Sequence, residues 1–434
     1  MPTSARDVHH LMRRAGFGAT EAEVGALVPF ERAAIVDRLL DVSSAPADAP
    51  PAALSDPAQG NWQRYVALVQ QWMDRMATSP APLQEKMTLF WHGHFTSSRE
   101  KCSIEDLQRQ IARYRSLALG NLRTLAHAMA IEPAMLEYLD NAVSTRWGPN
   151  LNFARELLEL FLLGVGNYTE DDVAAAARAW TGHTIDRTSR RYRFRADWHD
   201  NSAKTFMGVT RNWDGPQIID FLFDDSRTRP IVARFVAGKL WDFFAGPVPA
   251  PAAVEAVAES LLGSGWELRP ALRTLLLRSE FFGDVARAGL VRTPVEFAVA
   301  AMRATGFDAA TAHPEWYLAG MGQELLNPPD VSGWRPNAYW ITTTAAAAKT
   351  SFASYVGWRQ RELRRPFVPG GRSVAPGAIV AGALAKAGID EPSTSSRAAL
   401  VRWLEQNRAA RWDDWAEDQY LAVLVFLTPE FQLA

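Results

Sequence analysis

The 434-residue chain has one cysteine, Cys102. That excludes an intrachain disulfide framework, a CxxC redox pair and any thiolate-rich metal site. No apolar run approaches the roughly 18 residues of a membrane-spanning helix, and the opening MPTSARDVHHLMRRAGFG has no apolar core of a secretion signal. The expected compartment of the sequence as written is therefore the cytoplasm, with export the alternative if an N-terminal leader precedes it. A net charge of -2 gives no pull toward nucleic acid or anionic lipid, and the arginines are scattered rather than striped. The sequence also lacks a GxSxG elbow, a GxxxxGK[ST] loop, a GxGxxG fingerprint and an HExxH pair. It has no repeat of fixed period.

Helix signals are plentiful. Thr20 with Glu23, Ser103 with Asp106 and Thr169 with Asp172 have the spacing of capping pairs, and apolar residues recur at 3.6-residue spacing between them. Pro82 suits a first helical turn, and that helix is expected to stop near Gly93. Further helices are expected at 215–223, 229–244, 252–262 and 269–278, from Pro294 to near Gly306, and at 342–351. Tyr192, Phe194, Ala196 and Trp198 alternate with polar residues, which predicts a strand whose partner is 206–209. Gly320–Trp340 reads as an ordered aromatic loop, and the polar, Pro/Gly-rich 361–376 as a hinge. The expected fold is mainly α, a multi-helix globular protein with a small β-hairpin insertion near 190–210. Residues 1–365 form its main domain, and 366–434 a helical extension packed on it.

The densest group of chemistry-bearing residues is Pro149–His183, PNLNFARELLELFLLGVGNYTEDDVAAAARAWTGH. Glu156 and Glu159, three apart, share one helix face among leucines, where a buried carboxylate needs a cation, a metal or a proton. Arg155 and Glu159 are four apart and suited to pair, which leaves Glu156 the freer acid; alternatively both acids bind one ion. Among the 8 histidines, His92-Gly-His94 is the sharpest pair. Imidazoles two apart do not share a helix face, but converge if the helix ends at Gly93 and the chain turns. His199-Asp200 beside Lys204 suits either a proton carrier or a loop contact, and His183 either caps a helix or turns into the same cavity. Trp91, Trp180, Trp198 and Trp334 are candidates to wall a pocket.

These words resemble a known family. HHLMRRAGFGA (9–19), KMTLFWHGHFTSS (86–98), EPAMLEYLDN (132–141), NFARELLELFLLGVGNYTEDDVAAAARAWTGH (152–183), WHDNSAKTFMG (198–208) and MGQELLNPPDVSGW (321–334) occur in the order typical of the bacterial DUF1800 family. The resemblance implies a mainly helical fold, frequent export, and a DUF1501-family protein as partner. It implies no settled activity. The family's characteristic polar positions fall on His92, His94, Asn152, Arg155, Glu156, Glu159, His183, His199 and Asp200. Where family members commonly read Asn-Glu-Asn, this chain has Asn150-Leu151-Asn152, so one acid is missing.

The functional expectation is a metal-dependent enzyme of hydrolytic type. His92, His94, Glu159 and His183 are the candidate ligands of a divalent ion (Zn, Mn or Fe), with Glu156, His199, Asp200 and Arg155 the candidate catalytic groups. Two alternatives stand beside it. One is a non-catalytic helical binding or assembly protein in which these polar residues hold helix ends and loops; the other is an iron- or haem-dependent redox protein.

Overall fold

The computed structural model describes the chain except for Met1, Pro57, Val248, Pro249, Ala288, Arg411 and Trp412. The protein is mainly α, and its helices begin where the caps predict. Thr20 and Glu23 form a complete capping box on Glu21–Leu27, and Thr169 and Asp172 another on Glu170–Ala179. Thr293 and Glu296 close a third, with Pro294 at the first helical position of Pro294–Thr305 and Gly306 in the left-handed conformation after it. Ser103 caps Ile104–Leu117, but the Asp106 carboxylate turns to Arg109 and Arg190 instead of completing a box. The helix expected at 342–351 runs over Thr343–Glu362, because Phe352, Ala353 and Val356 continue its buried face. No helix among the described residues is long and apolar enough to cross a membrane.

Among the described residues the strands form two small antiparallel sheets rather than one hairpin. β1 (His183–Asp186) pairs with β2 (Arg191–Phe194), and β3 (Lys204–Phe206) with β4 (Val209–Arg211). The alternation starting at Tyr192 thus finds its partner upstream, not at 206–209. The Asp186 carboxylate accepts the Thr188 and Ser189 amide hydrogens at 3.2 and 2.8 Å and turns the chain back on itself. Past Phe194, the amide groups of Trp198 and His199 donate to Arg195 and Ala196 carbonyls in tight turns, which ends the extended run.

Buried apolar side chains form two clusters. The first gathers Phe153–Leu163, Glu170–Ala179, Arg229–Phe244, Pro251–Gly263 and Leu268–Leu277. The second gathers Asn61–Thr78, Pro294–Thr305, Thr343–Glu362 and Asp414–Phe426. The helix Pro82–His94 serves both, giving Met87, Phe90 and Trp91 to the first and Leu89 to the second. Trp91 is fully buried and donates its indole N–H to the Ala118 carbonyl at 3.1 Å, so burying that ring leaves no polar orphan.

Candidate functional site

The helix that carries His92 and His94 does not stop at Gly93. It continues to His94, so the two imidazoles leave it about 200° apart and do not converge. His92 Nε2 accepts the Leu326 amide hydrogen at 3.1 Å, with the ring between Trp72 and Trp334. His94 donates through Nε2 to the Phe161 carbonyl at 3.0 Å and stacks on Phe90. Phe161 lies in the last turn of its helix, where carbonyls lack partners within the helix. Burial pushes both imidazoles down to about 3, helped at His94 by the Lys239 charge, so both are neutral at pH 7.

Glu156 and Glu159 flank a change of helix type. Leu151–Glu156 is α-helical, but Leu157–Leu162 is a π turn, and the Leu163 amide reaches back five residues to the Leu158 carbonyl at 2.9 Å. The wider turn breaks the four-residue spacing that was expected to pair Arg155 with Glu159. Arg155 instead grips Glu170 with two bonds of 2.7 Å, and Glu159 accepts the Tyr168 hydroxyl. Glu156 makes no hydrogen bond to a described residue. Burial, with Glu159 and Asp330 nearby, pushes its carboxyl above the ordinary value.

His183 and His199 are brought together, with ring centroids 6.4 Å apart and Phe194 packed against both. His183 Nδ1 meets the Tyr192 hydroxyl at 2.9 Å, and His199 Nδ1 donates to the Thr181 carbonyl at 2.8 Å. Burial, with His199 adding to it, pushes His183 down to about 3. Asp200 makes no bond to His199. Burial works to raise its carboxyl, but Arg178 at 2.7 Å and Ser202 hold it well below the usual range. Each of these groups fastens a loop or helix end. Among the described residues no group of three or more His, Cys, Asp or Glu side chains is placed to hold a metal ion.

Beside His94 lies a cleft of about 270 Å³, lined by Phe90, Gly93 and His94 of the shared helix, by Leu160 of the π turn, and by Trp334 and Trp340 of the aromatic loop. Lys239, Asp242 and Phe243 close its other side. Lys239 and Asp242 are three apart on Arg229–Phe244, so they reach the same rim. Neither forms an ion pair among the described residues. Partial desolvation pushes the Asp242 carboxyl up, and Lys239 pulls it the other way. Of the four tryptophans expected to wall a pocket, only Trp334 lines this one; Trp91 and Trp180 are core residues.

Lys239, Asp242 and Trp340 went unrecognised in the sequence. The local signal for Lys239 and Asp242 is a charged pair three apart in the apolar segment KLWDFF, which any solvated helix face also shows, and that for Trp340 is the aromatic loop it closes. A second cavity of about 250 Å³ lies among the last helices, but its charges are spent internally. Arg408 pairs with Glu417 at 3.2 Å, and Asp418 accepts the Val368 amide hydrogen at 2.9 Å.

Fold and cleft together define a mainly helical protein whose aromatic, charge-rimmed cavity sits between a buried helix and a long ordered loop. Residues 10–433 match the family described as "Protein of unknown function (DUF1800)", and the chain belongs to that family. No curated protein and no solved structure matches it.

Proposed function

We propose that the chain is a binding protein whose cleft takes a small organic ligand with a flat apolar body and a polar or anionic end. The observation that carries this reading is the pairing of Lys239 and Asp242, neither in an ion pair among the described residues, with a wall of Phe90, Phe243, Trp334 and Trp340. Ligand sites are typically apolar cavities with a few convergent polar groups, and this cleft is near the lower end of their usual size. His94 adds a ring that is neutral at pH 7 and whose Nδ1 is its free acceptor. The metal-dependent hydrolytic reading needs His92, His94, Glu159 and His183 around one ion, and each of these is engaged with a different partner.

The test uses 8-anilinonaphthalene-1-sulfonate, a flat aromatic body carrying one anionic group. The full chain is expected to bind it saturably at one site. Trp334→Ala and Lys239→Met should each weaken binding about tenfold or more, a loss on the scale of one anchoring contact, with the circular dichroism spectrum unchanged. Equal affinity in both variants and the parent would remove the cleft from consideration.

A further inference from the structure

The N-terminal word HHLMRRAGFG is not used by the cleft, and it ends in a concentration of buried positive charge. Arg14, Lys86 and Arg292 are only 1%, 2% and 5% exposed, and the acid packed among them is Glu296, at 8%. Lys86 satisfies that acid directly, while also donating to the Gly16 carbonyl at 3.0 Å. Arg13 is occupied by Asp390 at 2.9 Å. Arg14 gives one nitrogen to the Ala286 carbonyl, leaving Nε and Nη1 buried without a partner among the described residues. Arg292 lies with its guanidinium 4.5 Å from the Phe431 ring centre, and its Nη1 is also unpartnered. Three buried cations therefore face one buried carboxylate. Burial and repulsion from neighbouring arginines push the Arg14 and Arg292 guanidiniums down to about 9, so both stay charged at pH 7. An ion buried without a counter-charge costs several kcal/mol.

Arg292 opens onto a small pocket of about 20 Å³, where Gly18 and Thr20 of the N-terminal turn meet Arg303, Lys386 and Gly388. Arg303 is already held by both oxygens of Glu23, at 2.7 and 2.9 Å, and Lys386 donates to the Phe367 carbonyl at 2.8 Å. Among the described residues Arg292 is thus the pocket-lining cation with neither an ion pair nor a hydrogen-bond acceptor for its side chain, with Lys386 and Arg14 adding positive field. A space of this size admits about one water-sized particle. Water would satisfy the N–H groups but not the charge.

We propose that this pocket binds a single inorganic anion of halide size, chloride in ordinary solution, which neutralises Arg292 and ties the turn at Gly18–Thr20 to the segment Lys386–Gly388. A tetrahedral oxyanion does not fit without the walls parting.

The experiment is thermal unfolding of the full chain at fixed ionic strength, with sodium chloride replacing sodium gluconate. The midpoint should climb with chloride and level off, as linkage to one site requires, and bromide should substitute for it. Arg292→Gln should lose the dependence. Lys386→Met, at an exposed position, should shift the chloride concentration for half-effect upward several-fold even if the first variant folds poorly. Equal midpoints in chloride and gluconate would overturn the proposal, as would a chloride response untouched in both variants. A larger effect of sodium phosphate than of chloride would overturn the halide-sized assignment.

Discussion

Gly93 and Gly333 face each other where the shared helix meets the aromatic loop, and they carry opposite constraints. Gly333 has φ of 77°, and a Cβ there would overlap the Gly93 carbonyl oxygen. A Cβ on Gly93 meets nothing within 4 Å and projects into the cleft. Gly333→Ala should cost about 2 kcal/mol or more, from left-handed strain together with the overlap. Gly93→Ala should add up to about 1 kcal/mol, because alanine favours the helix by that much, while weakening binding of the naphthalene probe. Urea unfolding of the two variants, with the probe titration repeated on Gly93→Ala, checks both signs. The sequence made Gly93 look like a stop. One glycine costs a helix only about 1 kcal/mol, and the burial of Leu89, Phe90 and Trp91 outweighs that.

At the scale of elements, the loop from Gly322 to Trp340 is held from beneath by His92. Leu326 adopts φ of 65°, unusual for a leucine, and its amide hydrogen ends on His92 Nε2. His92→Ala should remove that acceptor and open a void between Trp72 and Trp334, costing about 3 kcal/mol. Adding zinc or manganese salts should leave parent and variant stabilities equally unchanged. A calorimetric scan in each salt measures this, and metal-dependent stabilisation of the parent alone would return His92 to the metal-ligand reading. Helix starts were legible because a cap is a local device: Thr20, Ser103 and Thr169 need only residues three positions on. The partners of Arg155 and Glu159 were not legible. The π turn between Glu156 and Leu163 changes which residues stack, and nothing in ELLELFLL announces it.

Across the whole molecule, His10, His92, His94 and His183 are dispersed as buried neutral fasteners. Burial pushes His10 down to about 2, and His92, His94 and His183 down to about 3. The unfolded chain takes protons on these rings from about pH 6.5 downward, and the folded chain does not. Unfolding therefore binds protons in that window, and stability falls as pH drops from about 6.5 toward 3. Buried carboxyls work the other way. Glu132, pushed up to about 7, does so between about 4.5 and 7, and Asp74, Glu156, Asp242 and Asp418, each raised above its ordinary value, over narrower windows. The four rings, with their larger shifts, set the sign. Urea unfolding free energies should be highest near pH 7 and decline steadily to pH 4.5; a rise on acidification over that range would contradict the placement of these rings. The sequence supplied the residues of this pattern but not their separation. Polar words that look like one site in a line of text are distributed by the fold to several different joints. One joint is the helix Pro82–His94, which lends side chains to both apolar clusters. A segment shared in this way ties the two apolar clusters to one helix. A crossover within Pro82–His94 would separate side chains that both clusters bury, and so would unsettle two cores at one point.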